Sequence, residues 1–218
     1  MNRSAAIFGS TGLVGKHLLK VLAESKNYGK VYAYSRKPLT NLADKFSWVE
    51  ITDDFTVPAG ADDVFVCLGT TMKKAGSKKA FWKVDYELVV TIAQRAKMAG
   101  GSRLIVISSI GANPKSLSFY QRTKGEMEEM VKSMGFELCA IVRPSLLLGK
   151  RDEFRFVERL GILFYKAFGF ILTGPFRKYR GIDAIDVAKS MASLASSSSG
   201  VIVVESNILK QIADVYQP

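Results

Sequence analysis

The stretch IFGSTGLVG (Ile7–Gly15) is the part of the sequence that most strongly indicates the fold of this chain. It follows a short apolar strand and opens an amphipathic helix, the context in which a G-x-x-G-x-x-G pattern is meaningful. Gly9 permits a tight turn, Gly12 lets the backbone approach a pyrophosphate, and Gly15 lets the helix pack closely on the strand. The start of the helix adds the positive end of its dipole. The alternative is a tight turn that binds nothing. The predicted dinucleotide-binding residues are Gly9, Ser10, Thr11, Gly12, Leu13 and Gly15.

Outward from this loop, apolar runs alternate with helical patterns along the 218 residues. The strand-like runs are SAAIFG, KVYAYSR, FSWVEI, DDVFVCLG, SRLIVISS, FELCAIVRP and GVIVVES. Strands of near-continuous apolar residues separated by helices indicate a parallel sheet covered on both faces. The sequence therefore predicts the α/β class, with a Rossmann-like, doubly wound and mainly parallel sheet in a single domain over residues 1–218. Residues from about 150 to 181 break the alternation and are predicted to cap a pocket at the carboxyl ends of the strands.

The end of the second strand, YSRKP, bears on the choice of cofactor. An acidic residue there would bond the ribose 2′-hydroxyl group of NAD. This chain has Ser35, Arg36 and Lys37 instead, and a guanidinium group can grip a 2′-phosphate while it stacks on adenine. We therefore expect NADP(H) to be preferred over NAD(H). The alternative is that both cations are solvated loop residues.

The segment SFYQRTKGEMEEM (Ser118–Met130) reads as a helix that places Tyr120 one turn from Lys124. A free phenol has a pKa of about 10, and a nearby ammonium group favours the phenolate. Next to a nicotinamide cofactor, such a tyrosine could exchange a proton with a carbonyl substrate. Ser108 and Ser109, at the end of the fifth strand, supply a hydroxyl group to hold the carbonyl oxygen. The alternative is an ordinary charged helix surface.

Together, GSTGLVG, the serine pair and Y-x-x-x-K resemble the short-chain dehydrogenase/reductase family over nearly the whole chain. More narrowly, CLGTTMKKAGSKKAFWKVD, YQRTKGEME and IVRPSLLLGKRDEFRFVER resemble its atypical branch, represented by the Tat-interacting oxidoreductases and their bacterial relatives. The resemblance implies one Rossmann-like domain that binds NADPH.

The resemblance also implies roles for single residues. Tyr120 would be the general acid/base, and Lys124 would bind the ribose and tune Tyr120. Ser109 would orient the substrate oxygen, with Ser108 as the second choice. The remaining implied cofactor contacts are Leu68, Gly69 and Thr70 after strand four, Pro144 and Ser145 after strand six, and Asp53 at the adenine.

Composition narrows the possible partners. The net charge is +11, but the basic residues are scattered and no nucleic-acid module is recognisable, so no nucleic-acid partner is expected. The apolar stretch Leu160–Thr173 is too short to span a bilayer and contains Lys166, so stable membrane insertion is not expected.

Two cysteines in apolar runs and a single histidine argue against a metal site. The chain opens without a signal peptide, which predicts a cytoplasmic protein.

The leading hypothesis is an NADPH-dependent short-chain dehydrogenase/reductase that reduces an unidentified small carbonyl compound, with Tyr120 as proton donor. Arg151 would meet a substrate anion, unless it belongs to an ion-paired helix start. One alternative is an NADPH-binding regulatory or protein-interaction module with little turnover. An NAD-dependent epimerase or dehydratase is disfavoured by Arg36 and by the short chain. The resemblance alone suggests a homodimer formed by helices over Ala80–Met98 and Ser118–Met134.

Overall fold

The computed structural model describes residues 2–149, 180–197 and 199–218. Within them, seven parallel strands form one sheet in the order β3-β2-β1-β4-β5-β6-β9. A second sheet pairs the short strands β7 and β8. The strands are β1 (Arg3–Phe8), β2 (Tyr28–Ser35), β3 (Phe46–Glu50), β4 (Asp63–Val66), β5 (Arg103–Ile107), β6 (Leu138–Arg143), β7 (Leu147–Leu148), β8 (Ile182–Asp183) and β9 (Gly200–Glu205).

Helices cover both faces of the large sheet, as expected for a doubly wound fold. They are α1 (Leu13–Glu24), α2 (Met72–Ala75), α3 (Lys78–Trp82), α4 (Leu88–Met98), α5 (Phe119–Lys132), α6 (Ala184–Leu194) and α7 (Ser206–Asp214). One face carries α1, α6 and α7, and the other carries α4 and α5. The prediction of a single Rossmann-like α/β fold with a parallel sheet is confirmed.

The first strand shows why the strands read as continuous apolar runs. Successive side chains of a strand point to opposite faces of its sheet. Ala5 and Ile7 pack into the core beneath α1 and α6, whereas Ala6 and Phe8 pack into the core beneath α4 and α5. All four side chains are fully buried. A sheet with helices on both faces therefore requires apolar residues at every position of its central strands.

The strand order reverses between β1 and β4, and this reversal fixes the position of the site. Phe8, the last residue of β1, lies opposite Tyr34 of β2 and Val66 of β4. The segments that follow these three strands therefore leave the sheet along one edge. Ligands of doubly wound proteins bind in the crevice outside such a reversal, at the carboxyl ends of the strands.

One predicted element has a different local structure. The sequence predicts a single long helix over Ala80–Met98, but a π-helical turn at Lys83–Glu87 joins α3 to α4. The π turn widens the helix by one residue, a feature that often accompanies functional sites.

Several predictions concern residues 150–179, which lie outside the described residues. These predictions are the role of Arg151, most of the pocket-capping segment and the packing of Leu160–Thr173. The described residues on either side meet in the small sheet, because Leu147 of β7 pairs with Ile182 of β8.

Both cysteines have free thiols that contribute to the apolar cores, with Cys139 buried and Cys67 half-buried. Burial raises the pKa of the Cys67 thiol to about 12 and that of the Cys139 thiol to about 11. Over residues 2–149, 180–197 and 199–218, no three His, Cys, Asp or Glu side chains are grouped closely enough to hold a metal ion. In the same ranges, no helix has the length and apolar character needed to cross a bilayer.

Candidate active site

The glycine loop turns so tightly that a side chain at Gly9 or Gly15 would clash with the backbone. Gly9 has a φ of +81°, and a Cβ atom there would lie 2.9 Å from the carbonyl carbon and oxygen of Cys67. A Cβ atom on Gly15 would lie 2.2 Å from the carbonyl oxygen of Gly9. The Gly12 N–H donates to that same oxygen at 2.9 Å. The loop therefore turns tightly between β1 and α1, with glycine required at its first and last positions.

Two of the polar residues in this loop differ in their surroundings. Ser10 is fully buried, and its hydroxyl group donates to the carbonyl oxygen of Tyr34 at 2.8 Å. That bond ties the loop to the end of β2, so the Ser10 side chain serves the shape of the loop. Thr11 is exposed, and Leu13 begins α1. The first N–H groups of a helix lack intrahelical partners, which leaves this end of α1 suited to an anion.

The turn after β2 exposes two cations. Ser35 is buried, and its hydroxyl group donates to the Lys37 carbonyl oxygen at 2.5 Å. The same hydroxyl group accepts a hydrogen bond from the Trp48 indole N–H at 2.9 Å. Arg36 and Lys37 are exposed. Neither forms an ion pair with any carboxylate in the described part of the chain. Ser35 thus shapes the turn, while the guanidinium and ammonium groups remain available to a ligand.

The loop after β3 is held by an arginine of α4. Arg95 donates from Nη2 to the Asp53 carbonyl oxygen at 3.0 Å and from Nη1 to the Phe55 carbonyl oxygen. Its guanidinium carbon also lies 4.3 Å from the centre of the Phe55 ring. Asp53 itself is exposed, and its predicted contact with adenine stays a prediction.

The predicted acid/base pair lies on α5, and its lysine has a partner that the sequence did not indicate. Lys124 is 2% exposed, and its Nζ atom lies 2.7 Å from Oδ1 of the fully buried Asp85. One turn earlier on each helix, the ring of the half-buried Tyr120 lies 5.2 Å from that of Phe81, centre to centre. The pairs Tyr120–Phe81 and Lys124–Asp85 thus join α5 to the α3–α4 segment, one helical turn apart.

Asp85 also reaches the turn after β4. Its Oδ2 atom accepts a hydrogen bond from the Thr70 N–H at 2.9 Å. A Cβ atom on Gly69 would lie 3.5 Å from Asp85 Oδ1 and 3.8 Å from Lys124 Nζ. The structure therefore brings three predicted residues, Gly69, Thr70 and Lys124, together around one carboxylate.

A sequence signal for Asp85 existed but was overlooked. Phe81, Val89 and Ile92 recur at helical spacing, and all three are fully buried. Asp85 falls on the same stripe, and an acidic residue is rarely buried without a charged or hydrogen-bonded partner. An acidic residue inside an apolar stripe of a helix therefore indicates that a cationic side chain is buried next to it.

The two candidate serines differ in environment. Ser108 is 5% exposed, and its hydroxyl group has no hydrogen-bond partner in the described part of the chain. Ser109 is half-buried and makes only a long 3.4 Å bond to the Ile110 carbonyl oxygen. A buried hydroxyl group without a partner costs about 1–3 kcal/mol, so Ser108 is suited to accept a bond from a ligand or donate one to it. The choice between the two serines stays open.

Main-chain bonds join the ends of β5 and β6. The Ser108 N–H donates to the Val142 carbonyl oxygen at 2.8 Å, and the Ile110 N–H donates to the Pro144 carbonyl oxygen at 3.1 Å. Ser145 is held in turn by the Ser206 hydroxyl group, which accepts from its N–H at 2.6 Å. The predicted residues Pro144 and Ser145 therefore lie beside the serine pair, while Leu68 lies half-buried at the glycine loop.

Comparisons with known proteins place this geometry in a family. A profile of the NAD(P)H-binding family matches residues 9–160. The mitochondrial protein FMP52 of Debaryomyces hansenii is 36% identical over 202 residues, which cover 88% of each chain. The mitochondrial FMP52 of Candida albicans is 36% identical over 162 residues, or 69% of each chain.

Solved structures share the fold at low identity. MoeE5 in complex with UDP-glucose and NAD is 18% identical, with a TM-score of 0.66, and the match covers 98% of this chain and 82% of MoeE5. The human epimerase family protein SDR39U1 with NADPH is 15% identical, with a TM-score of 0.64 and coverage of 93% and 74%. These likenesses concern the fold alone, and the cofactors of the two proteins differ.

The comparisons also correct one prediction. The sequence predicted a cytoplasmic protein, but the FMP52 relatives are named as mitochondrial, which contradicts that prediction. The prediction rested on the first residues of the sequence, which do not distinguish between compartments inside a cell. The narrower resemblance to the Tat-interacting oxidoreductases stays a prediction.

Proposed function

Because this chain belongs to the NAD(P)H-binding family and to the family of the FMP52 proteins, we propose that it is an NADPH-dependent oxidoreductase that reduces a carbonyl compound. The observation that carries the proposal is the position of Lys124. Its ammonium group lies against Gly69 at the turn after β4, one helical turn from Tyr120. The tyrosine proposed as proton donor therefore lies one helical turn from a lysine that reaches the turn proposed to flank the cofactor. The names of the relatives support a mitochondrial location.

The residues present fit a dinucleotide. Gly12 is partly exposed and carries no side chain, so a pyrophosphate could approach its backbone closely. This loop and the start of α1 would hold the pyrophosphate. Arg36 and Lys37 would hold a 2′-phosphate, which supports NADPH over NADH. Lys124 would donate a hydrogen bond to the nicotinamide ribose.

The proposed reaction needs one hydride and one proton. A nicotinamide cofactor, when bound, would be the source of the hydride that the carbonyl carbon accepts. Tyr120 donates its phenolic proton to the carbonyl oxygen, which completes the alcohol product. Ser109, or Ser108 as the second choice, donates a hydrogen bond that holds this oxygen in place. The Phe81 ring, packed against Tyr120, limits the positions that the phenol can adopt.

A fluorescence titration with NADPH and NADH tests the cofactor assignment. We expect NADPH to bind at least tenfold more tightly, a difference of about 1.4 kcal/mol, and Arg36→Asp to erase that preference. Lys26→Asp is the matched control, because it makes the same charge change at an exposed residue before β2, at the opposite edge of the sheet. If the protein bound neither nucleotide, the proposal would be wrong.

Turnover separates an enzyme from a regulatory module. In a screen of aldehydes and ketones with NADPH, we expect Tyr120→Phe to lower kcat at least a hundredfold while the Kd for NADPH changes less than twofold. An unchanged kcat in this variant would remove Tyr120 from the reaction. Binding of NADPH without turnover of any carbonyl would favour the regulatory alternative.

A further inference from the structure

We propose that Asp85 is a positioning residue that holds the Lys124 ammonium group in place for the cofactor, and that it affects cofactor binding only through Lys124. The inference rests on the proposed function, because it assigns Lys124 to the nicotinamide ribose. It concerns a carboxylate that does not touch the substrate or the cofactor. Three observations support it.

The first observation is the burial of both charges. Asp85 is fully buried and Lys124 is 2% exposed, with 2.7 Å between Oδ1 and Nζ. A single charge at such a site would be strongly disfavoured, and a pair of opposite charges removes much of that cost. The contact does not have the angles of a hydrogen bond, and Oδ1 has no other donor among the described residues. Lys124 therefore depends on Asp85 for its counter-charge and keeps donor capacity for a ligand.

The second observation is the local backbone at Asp85. The residue lies in the middle of the π-helical turn Lys83–Glu87, and both ends of that turn are exposed while Asp85 is buried. Short π-helical turns are rare and recur at functional sites. The widened turn is thus where the helix places one acidic side chain into the interior, toward α5.

The third observation is that the two carboxylate oxygens have partners on different elements. Oδ1 faces Lys124 of α5, and Oδ2 accepts from the Thr70 N–H in the turn after β4. Gly69, which precedes Thr70, leaves the space beside the ion pair free of a side chain. Asp85 therefore connects the lysine proposed to bind ribose with the turn proposed to flank the cofactor.

These contacts give Asp85 a physical role in binding. A lysine side chain has a flexible four-carbon stem, and fixing it on binding costs conformational entropy. A counter-ion that fixes the ammonium group before the ligand arrives reduces this cost. Removal of the negative charge should therefore weaken cofactor binding, and only in a protein that retains Lys124.

A double-mutant cycle distinguishes this role from general stabilisation of the fold. The four proteins are the wild type, Asp85→Asn, Lys124→Met and the double variant, each titrated with NADPH by fluorescence and unfolded with urea. Asparagine keeps an acceptor for the Thr70 N–H and removes the charge. We expect Asp85→Asn to raise the Kd for NADPH at least fivefold in the wild-type background and less than twofold in the Lys124→Met background.

Glu128→Gln is the matched control. Glu128 is 1% exposed on the same helix and forms an ion pair with the partly exposed Arg143, with Nε 2.9 Å from Oε1. It has no place in the proposed site, so we expect this variant to lower the free energy of unfolding and to leave the Kd for NADPH within twofold of the wild type. An equal loss of NADPH affinity in Glu128→Gln would overturn the inference.

The outcomes separate the two proposals. If Asp85→Asn weakened binding equally in both backgrounds, only the inference about Asp85 would be wrong. If the wild type bound neither nucleotide, the proposed function and this inference would both be wrong. If Lys124→Met did not fold, Lys124→Gln would replace it, and Lys124→Gln would be compared with Asp85→Asn/Lys124→Gln. In this second cycle, with Lys124→Gln in place of Lys124→Met, Asp85→Asn should change the Kd for NADPH less than twofold in the Lys124→Gln background, and an equal loss of affinity in both backgrounds would contradict the inference.

Discussion

Gly15 is the residue at which the glycine loop tolerates a side chain least. A Cβ atom there would lie 2.2 Å from the Gly9 carbonyl oxygen and 2.9 Å from the Ser10 Cα atom, both of which belong to the backbone. A backbone atom cannot move away as the end of a flexible side chain can. The sequence predicted this close packing of helix on strand from the spacing of the glycines alone.

We therefore expect Gly15→Ala to lower the free energy of unfolding by about 1–3 kcal/mol, because it overpacks the loop. The same displacement should raise the Kd for NADPH at least tenfold. Urea denaturation and nucleotide titration measure the two effects. Lys20→Ala, at an exposed position of α1, should change stability by less than about 0.5 kcal/mol. Wild-type stability in Gly15→Ala would show that the loop is looser than the structure indicates.

Helix α5 meets its preceding loop through a second glycine. A Cβ atom on Gly125 would lie 2.2 Å from the Pro114 nitrogen and 2.3 Å from the Asn113 carbonyl carbon. The absence of a side chain lets the loop cross directly over the helix, next to Lys124. The Asn113 N–H also donates to the Gln121 carbonyl oxygen at 3.1 Å, which fixes the loop to the first turns of α5.

This contact reverses the usual effect of a helical glycine. Replacement of glycine by alanine inside a helix normally stabilises it by about 1 kcal/mol. We expect Gly125→Ala to destabilise the protein by about 1–3 kcal/mol instead, because the loop must move. Thermal and urea unfolding provide the measurement, and Met130→Ala, at an exposed site of the same helix, is the control. A more stable Gly125→Ala variant would contradict the close contact.

At the scale of the whole molecule, a buried acid ties together the end of the sheet opposite the site. Asp63 is fully buried at the start of β4 and accepts from the Tyr28 hydroxyl group at 2.5 Å. Arg3 Nη1 lies 2.9 Å from Oδ2, and Arg103 Nη1 lies 3.6 Å from Oδ1. Burial raises the pKa of Asp63, although Tyr28 and the two arginines oppose the rise.

The raised pKa of Asp63 predicts a pH dependence. A carboxyl group whose pKa is higher in the folded than in the unfolded protein adds stability below the unfolded value, and loses that contribution as the pH rises through the folded value. We expect the free energy of unfolding of the wild type, minus that of Asp63→Asn, to fall as the pH rises from about 4 toward neutrality. Urea denaturation across this range measures the difference. A constant or rising difference would mean that the arginines outweigh burial.

The sequence by itself determined the sheet and the position of the loop. Its seven apolar runs predicted the seven parallel strands, and the glycine spacing located the turn after β1. Local patterns sufficed because a strand buried on both faces must be apolar throughout, and because a close approach of two backbones requires glycine. Local spacing also predicted that Tyr120 and Lys124 lie one turn apart on one helix, and the structure has both residues on α5.

Only the tertiary structure decided which partners these residues have. Asp85 is distant from Lys124 in sequence, and the two charges meet because α5 packs against the π-helical turn. The hydroxyl group of Ser10 is likewise bound to the carbonyl oxygen of Tyr34, at the end of the neighbouring strand. Such contacts depend on sheet register and helix packing, which bring together residues that no local pattern relates. The sequence thus predicted which groups could do chemistry, and the fold determined the charges and hydrogen bonds that surround them.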